Sequence, residues 1–156
     1  MEALSIKEAS KEEDVLRFIL GALKPSSEEE EKEREEGLRK ALFGERPRVF
    51  ALVARYEVEP VGVCVYYYSF STLGGFQGVA VDLMFVQDKW RGKGVDRAMI
   101  CELVNKCVKE GSTRIQWNLD KEDKETVEFV KKLKAKFMPG WIQFQLQGQD
   151  LQQAAE

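Results

Sequence analysis

The 156-residue sequence predicts an α/β (α+β mixed sheet) fold, with one central mixed β-sheet flanked by helices, and three observations carry that prediction. Segments 48–56, 60–71, 78–86 and 113–119 are rich in β-branched and aromatic residues or alternate apolar with polar ones, as half-buried strands do. Segments 12–23, 95–109 and 124–137 repeat apolar residues at helical spacing. Residues 78–109 read as strand, glycine-rich turn, then helix. The predicted order is β-α-α-β-β-β-α-β-α-β.

Each element has its own reason. "SIKEA" (5–9) is a short alternating start. A helix from Glu12 to Leu23 places Val15, Phe18, Ile19 and Ala22 on one face, and Pro25 stops it. Ser26 and Ser27 are caps for a charged helix over "EEEEKEREEGLRKALFG", weakly supported by the i,i+4 pairs Glu28–Lys32, Glu30–Arg34, Glu35–Arg39 and Glu36–Lys40 and ended by Gly44 and Pro47. "RVFALVARY" and "PVGVCVYYYSFS" are joined tightly through Glu57–Glu59, the mark of a hairpin. "GGFQ" turns the chain into "GVAVDLMFV". In the helix from 95 to 109, Met99, Leu103 and Cys107 form one row and Ile100, Val104 and Val108 the next; Gly111 ends it. "TRIQWNL" is a strand, and "KETVEFVKKLKAKF" a helix with Val127, Val130 and Leu133 inward. "GWIQFQLQG" (140–148) is read as a closing strand. The domain is taken as 1–148, with 149–156 a polar, fraying tail.

Composition narrows the chemistry. A net charge of −3 supplies no general attraction for nucleic acid. Cys64, Cys101 and Cys107 form no CxxC pair, and an odd count points to reduced thiols and a cytoplasmic protein. The charged N-terminus has no signal-peptide character, and no apolar run is as long as a membrane span. Histidine is absent, which excludes imidazole bases and Ser-His or Cys-His nucleophiles. No metal is expected.

The decapeptide "WRGKGVDRAM" (90–99) is the strongest local signal. A helix N-terminus offers unpaired N–H groups and partial positive charge, and glycines let a backbone approach an anion. Arg91 and Lys93 add charge at the same place. The spacing matches neither a Walker A loop nor a GxGxxG fingerprint. The plainer reading is a tight strand–helix turn with solvated basic residues.

The stretches "AVDLMFVQDKWRGKGV", "VYYYSFSTLGG" and "GWIQFQLQG" resemble the GNAT N-acetyltransferases, and within them the diamine (spermidine/spermine and thialysine) acetyltransferases. Their motif A reads [Gln/Arg]-x-x-Gly-x-[Gly/Ala], and here it begins at Arg91. The resemblance implies the GNAT acyl-CoA N-acyltransferase fold with acetyl-CoA as co-substrate, held between splayed central strands. Main-chain N–H groups at Met84 and Val86 would face the acetyl and pantetheine part. The diphosphate would lie on Arg91, Gly92, Lys93, Gly94, Val95, Asp96 and Arg97. It also implies direct attack of an amine on the thioester, without an acyl-enzyme.

The chain departs from the family pattern at four positions. Asp96 stands where motif A has its last Gly or Ala. A carboxylate there can cap the helix; facing a diphosphate at ~4 Å, at an effective dielectric near 20, it would cost about 4 kcal/mol. Val130 aligns with the tyrosine that donates a proton to the leaving thiolate. Asp82-Leu83 aligns with a Glu-Asp pair that relays a proton, which leaves Asp82 as the candidate catalytic carboxylate. Asp123 aligns with an asparagine that follows strand five, beside the cofactor.

The acidic helix Glu28–Glu36 lies where the family recognises polyamines, although solvated acidic helices are common. At least one of Tyr66, Tyr67 and Tyr68 should face the cleft. The resemblance further implies a homodimer in which the C-terminal strand packs against or exchanges with its partner. Two functions follow: transfer of acetyl from acetyl-CoA to the primary amine of a small diamine, polyamine or amino-acid-like acceptor, or a catalytically impaired GNAT-fold protein kept for binding or assembly.

Overall fold

The computed structural model describes residues 3–10 and 12–155. They divide into two compact units, Met1–Asn118 and Leu119–Glu156.

In the first unit, β1 (Leu4–Glu8), β2 (Phe50–Tyr56), β3 (Glu59–Ser71), β4 (Phe76–Val86) and β5 (Arg114–Trp117) lie side by side in chain order. The first three pairings are antiparallel and β4–β5 is parallel, so the sheet is mixed as expected. Antiparallel neighbours need only hairpins; the parallel pair needs a crossover, supplied by α3 (Val95–Lys109). At the β2–β3 hairpin Glu57 takes φ 55°, the left-handed conformation that a two-residue turn requires.

Helical periodicity decides what covers each face of the sheet. The row Val95, Met99, Leu103 and Cys107 packs on Leu52, Ala54, Val61, Cys64, Tyr66, Val79, Val81 and Val86. On the other face α1 (Glu12–Leu23) and α2 (Glu28–Phe43) bring Val15, Leu16, Ile19 and Leu42 against Ala51, Val53, Val63 and Val65. Beside the first row, Ile100 is buried but Val104 and Val108 are exposed. Ser27 caps α2 by accepting from Glu30 N–H at 3.1 Å. Of the four helix pairs read from spacing, Glu30–Arg34 and Glu35–Arg39 form ion pairs.

The second unit differs more from expectation. Its helix, α4 (Lys124–Lys132), is shorter than the apolar spacing suggests, because Lys134 takes φ 66° and cannot continue it. Val130 is buried, Val127 half-buried, and Leu133 exposed instead of inward. "GWIQFQLQG" does not form the predicted closing strand. A strand exists only as half of a ladder, and residues 141–147 pair with none among the described residues. Their side chains are exposed, Phe144 at 90 %. The tail does not fray: α5 (Gly148–Ala154) follows.

Candidate coenzyme site

The site begins where the β4–β5 ladder stops. β4 and β5 pair only over Gly78–Val81 and Arg114–Trp117, yet β4 continues to Val86. Beyond Val81 that edge of β4 has no strand beside it among the described residues, so its backbone groups face outward.

A bulge decides which groups these are. Thr113 N–H donates to Gln77 O at 3.0 Å, so Gln77 faces β5; Gln87 N–H donates to Val61 O at 2.9 Å, so Gln87 faces β3. Alternation from Gln77 aims Val79 and Val81 toward β5. Alternation back from Gln87 aims Phe85 toward β3 and Met84 and Val86 at the open edge. The two patterns are out of step by one residue. A register shift opposite Val65/Tyr66 reconciles them, and Asp82 is the extra residue. The bulge thus turns the Met84 and Val86 amides toward the open edge. Asp82 is exposed at that bulge, and its carboxylate has no partner among the described residues.

After β4, a 3-10 turn (Asp88–Trp90) leads into two glycines at positive φ, Gly92 at 72° and Gly94 at 84°. A Cβ at either would meet no atom within 4 Å, so glycine is required there by conformation and not by space. Gly94 is the N-cap of α3 and offers no side chain to its amides. Not every amide of the turn is available to an anion. Arg91 N–H bonds Asp88 O at 3.2 Å, and Lys93 N–H bonds Trp90 O at 3.3 Å. Gly92, Gly94, Val95 and Asp96 keep amides without an acceptor among the described residues.

Both cations of the turn rest on local groups. Arg91 Nε lies 3.3 Å from Asp88 Oδ1 and 3.4 Å from Val86 O. Lys93 Nζ sits 5.2 Å from the centroid of the Trp90 ring. Asp96 is half-buried, and its Oδ1 accepts from Arg97 N–H at 2.8 Å. Asp96 is not the cap, which is Gly94; it lies in the first turn of α3 and among the described residues accepts only from the adjacent Arg97 amide, where the helix dipole favours its charge.

Asp123 likewise has a local role in the second unit. It is the N-cap of α4, accepting from Thr126 N–H at 3.1 Å and from the Thr126 hydroxyl at 2.7 Å. β5 ends at Trp117, and Asn118 is the residue that directly follows strand five.

Tyr66 and Tyr68 share a face of β3, with ring centroids 6.1 Å apart, yet they differ in burial. Tyr66 is fully buried, and burial pushes its phenol pKa well above the ordinary value. Tyr67 and Tyr68 are partly exposed. Tyr68 donates to Glu110 at 2.6 Å; burial and this bond push it up to about 12, so it is not a proton donor poised near neutrality. Lys106 bridges Glu110 and Glu8, which raises its pKa and lowers that of Glu110. Sequence reasoning missed this cluster because its members are far apart in the chain.

The acidic helix is not uniformly anionic in its surroundings. Glu31 and Glu35 line a cavity of about 560 Å³ between α1 and α2, together with Arg17 and Lys24. Among the described residues no cluster of His, Cys, Asp and Glu could hold a metal ion, and no helix is long and apolar enough to cross a membrane.

The described unit thus combines an open β4 edge with outward amides and a Gly-rich turn at a helix N-terminus. The acetyltransferase (GNAT) family model matches residues 14–134. The chain belongs to the GNAT acetyltransferases. Members of this family use acetyl-CoA as co-substrate. Among curated proteins none matches the sequence significantly. The GNAT fold is shared with solved structures of low identity. An integron cassette protein from the mobile metagenome of V. cholerae superposes with TM-score 0.83 at 18% identity, covering 99% of this chain and 98% of that one. A ribosomal-protein-alanine N-acetyltransferase from Brucella melitensis biovar Abortus 2308 gives 0.73 at 19%, covering 94% and 100%. An aminoglycoside acetyltransferase from an uncultured soil metagenomic sample, solved with sisomicin, gives 0.70 at 15%, covering 94% and 98%.

Proposed function

We propose that this GNAT chain moves the acetyl group of acetyl-CoA directly to the primary amine of a small diamine, polyamine or amino-acid-like acceptor. The observation that carries the reading is the ladder that ends at Val81 and Trp117, with a bulge that turns the Met84 and Val86 amides to the open edge. In this reading the diphosphate lies on the unpaired amides of Gly92, Gly94, Val95 and Asp96, with Arg91, Lys93 and Arg97 supplying charge. Asp82, exposed at the bulge, takes the proton that the ammonium must lose, directly or through water. The amine lone pair attacks the thioester carbon, an outward amide of β4 stabilises the oxyanion, and the C–S bond breaks as the thiolate leaves. Val130 cannot protonate that thiolate, so solvent does, and turnover is slow for the family.

The acidic face of α2 supports a cationic acceptor, since its first turn carries Glu28, Glu29, Glu30 and Glu31. The free thiols Cys64, Cys101 and Cys107 suit a cytoplasmic protein. The exposed alternating segment Trp141, Ile142, Phe144 and Leu146 supports a homodimer.

Thiol release from acetyl-CoA, measured with spermidine, thialysine, lysine, sisomicin and an alanine-first peptide, tests the assignment. Turnover on the first three, lost in Asp82→Asn, is the expected result. Turnover only on the aminoglycoside or the peptide would replace the acceptor class. Binding of acetyl-CoA with no turnover on any amine would favour the impaired, binding-only protein.

A further inference from the structure

We infer that the Trp90 indole is the resting place of the Lys93 ammonium, fixed by Tyr56 from below, and that an anion on the Gly92–Asp96 turn draws Lys93 off the ring. Tyr56 and Trp90 are then positioning residues for coenzyme binding. The inference rests on the reading of this turn as the diphosphate site.

Four observations assemble it. The Tyr56 and Trp90 rings lie 4.7 Å apart, which ties the turn to the end of β2. Trp90 also packs, with Tyr56, against the core cluster beneath α3. Its Nε1 is buried without a hydrogen-bond partner, so apolar packing and ring contacts, not a polar bond, set its place. Lys93 lies over that ring at 5.2 Å, while its own N–H is bonded back to Trp90 O at 3.3 Å.

The physical consequence follows from relative strength. A cation–π contact at an exposed site is weak beside a charge-assisted contact with a phosphate. The backbone on either side of Lys93 is set by Gly92 at 72° and Gly94 at 84°. Rotation about side-chain bonds is therefore the only movement needed. Parking the ammonium on the ring removes rotamers that would point it away from the turn, which lowers the entropic cost of capture. Arg91 is held in the same manner by Asp88, so both cations wait at the site.

The test is a titration of the full chain with coenzyme A, followed by tryptophan emission and independently by calorimetry. A change in emission on binding is expected, absent in Trp90→Phe and in Lys93→Met. Trp90→Leu should raise the KM for acetyl-CoA severalfold with kcat within about twofold, and Trp90→Phe, which keeps a ring against Tyr56, should restore most of the loss. An unchanged emission response in Lys93→Met, or wild-type coenzyme affinity in Trp90→Leu, would overturn the inference. Inorganic diphosphate separates the two claims. If coenzyme A fails to bind but diphosphate produces the Lys93-dependent change, the inference stands and the acetyl-CoA reading falls. If neither ligand produces it, the inference falls.

Discussion

Two segments of this chain carry the same kind of pattern and meet opposite fates. "GVAVDLMFV" in β4 and "GWIQFQLQG" at 140–148 both begin with glycine and both run apolar residues through a strand-like pattern. β4 lies between β3 and β5 and buries Val79, Ala80, Val81 and Val86. The later segment has no ladder among the described residues and exposes Trp141, Ile142, Phe144 and Leu146. Periodicity marks a segment as able to pair; a neighbouring backbone decides whether it does. The same contrast holds for the two units. Apart from Val130, every buried apolar residue among those described lies in the unit Met1–Asn118.

The largest expected effect tests that contrast directly. Leu103 is fully buried beneath the sheet, so Leu103→Ala should cost about 2–5 kcal/mol in denaturant unfolding. Phe144 is 90 % exposed, and Phe144→Ala should leave the stability of the isolated chain within about 0.5 kcal/mol. A comparable loss at Phe144, growing with protein concentration, would show that the segment is buried against a second copy, as the proposed homodimer requires.

A smaller effect compares two added carboxylates. Asp96 and Asp123 each accept from a backbone amide at the start of a helix. Only Asp96 shares its helix end with the Gly-rich turn. Asp96→Gly should tighten coenzyme A binding about tenfold, or ~1.4 kcal/mol, by calorimetry. Asp123→Ala should cost roughly 0.5–2 kcal/mol of helix stability without tightening the coenzyme. Equal behaviour of the two variants would remove the distinction between them.

The smallest effect concerns pH. The Lys106 and Tyr68 bonds hold the Glu110 carboxyl below its ordinary value. A lowered folded-state pKa stabilises the protein above the unfolded value, and that stability is lost as pH falls through the folded one. The cluster should thus weaken on the acid side. In Glu110→Gln the acid-side loss of melting temperature should be shallower, by a degree or two. An identical slope in both proteins would mean that Glu110 is not coupled to folding.

Most of the first unit was legible from short-range rules. Pro25, Ser27, Gly44 and Gly111 punctuate helices through local conformation, and the structure places the boundaries near them. The Arg91–Gly94 turn was legible because positive φ and helix N-termini have compositional marks. The Tyr56–Trp90–Lys93 stack and the Tyr68–Glu110–Lys106–Glu8 cluster were not, since they join strands and helices distant in sequence.

The sequence by itself determined the element types of the first unit, the mixed sheet and the glycine-rich turn at the start of α3, because apolar period, caps and glycine conformation act over a few residues. Only tertiary structure decided that the β4–β5 ladder stops at Val81, that the bulge at Asp82 turns Met84 and Val86 outward, and that 141–147 pair with no strand among the described residues. Hydrogen-bond parity and ladder length depend on the partner strand, and no residue carries its partner in its own local pattern.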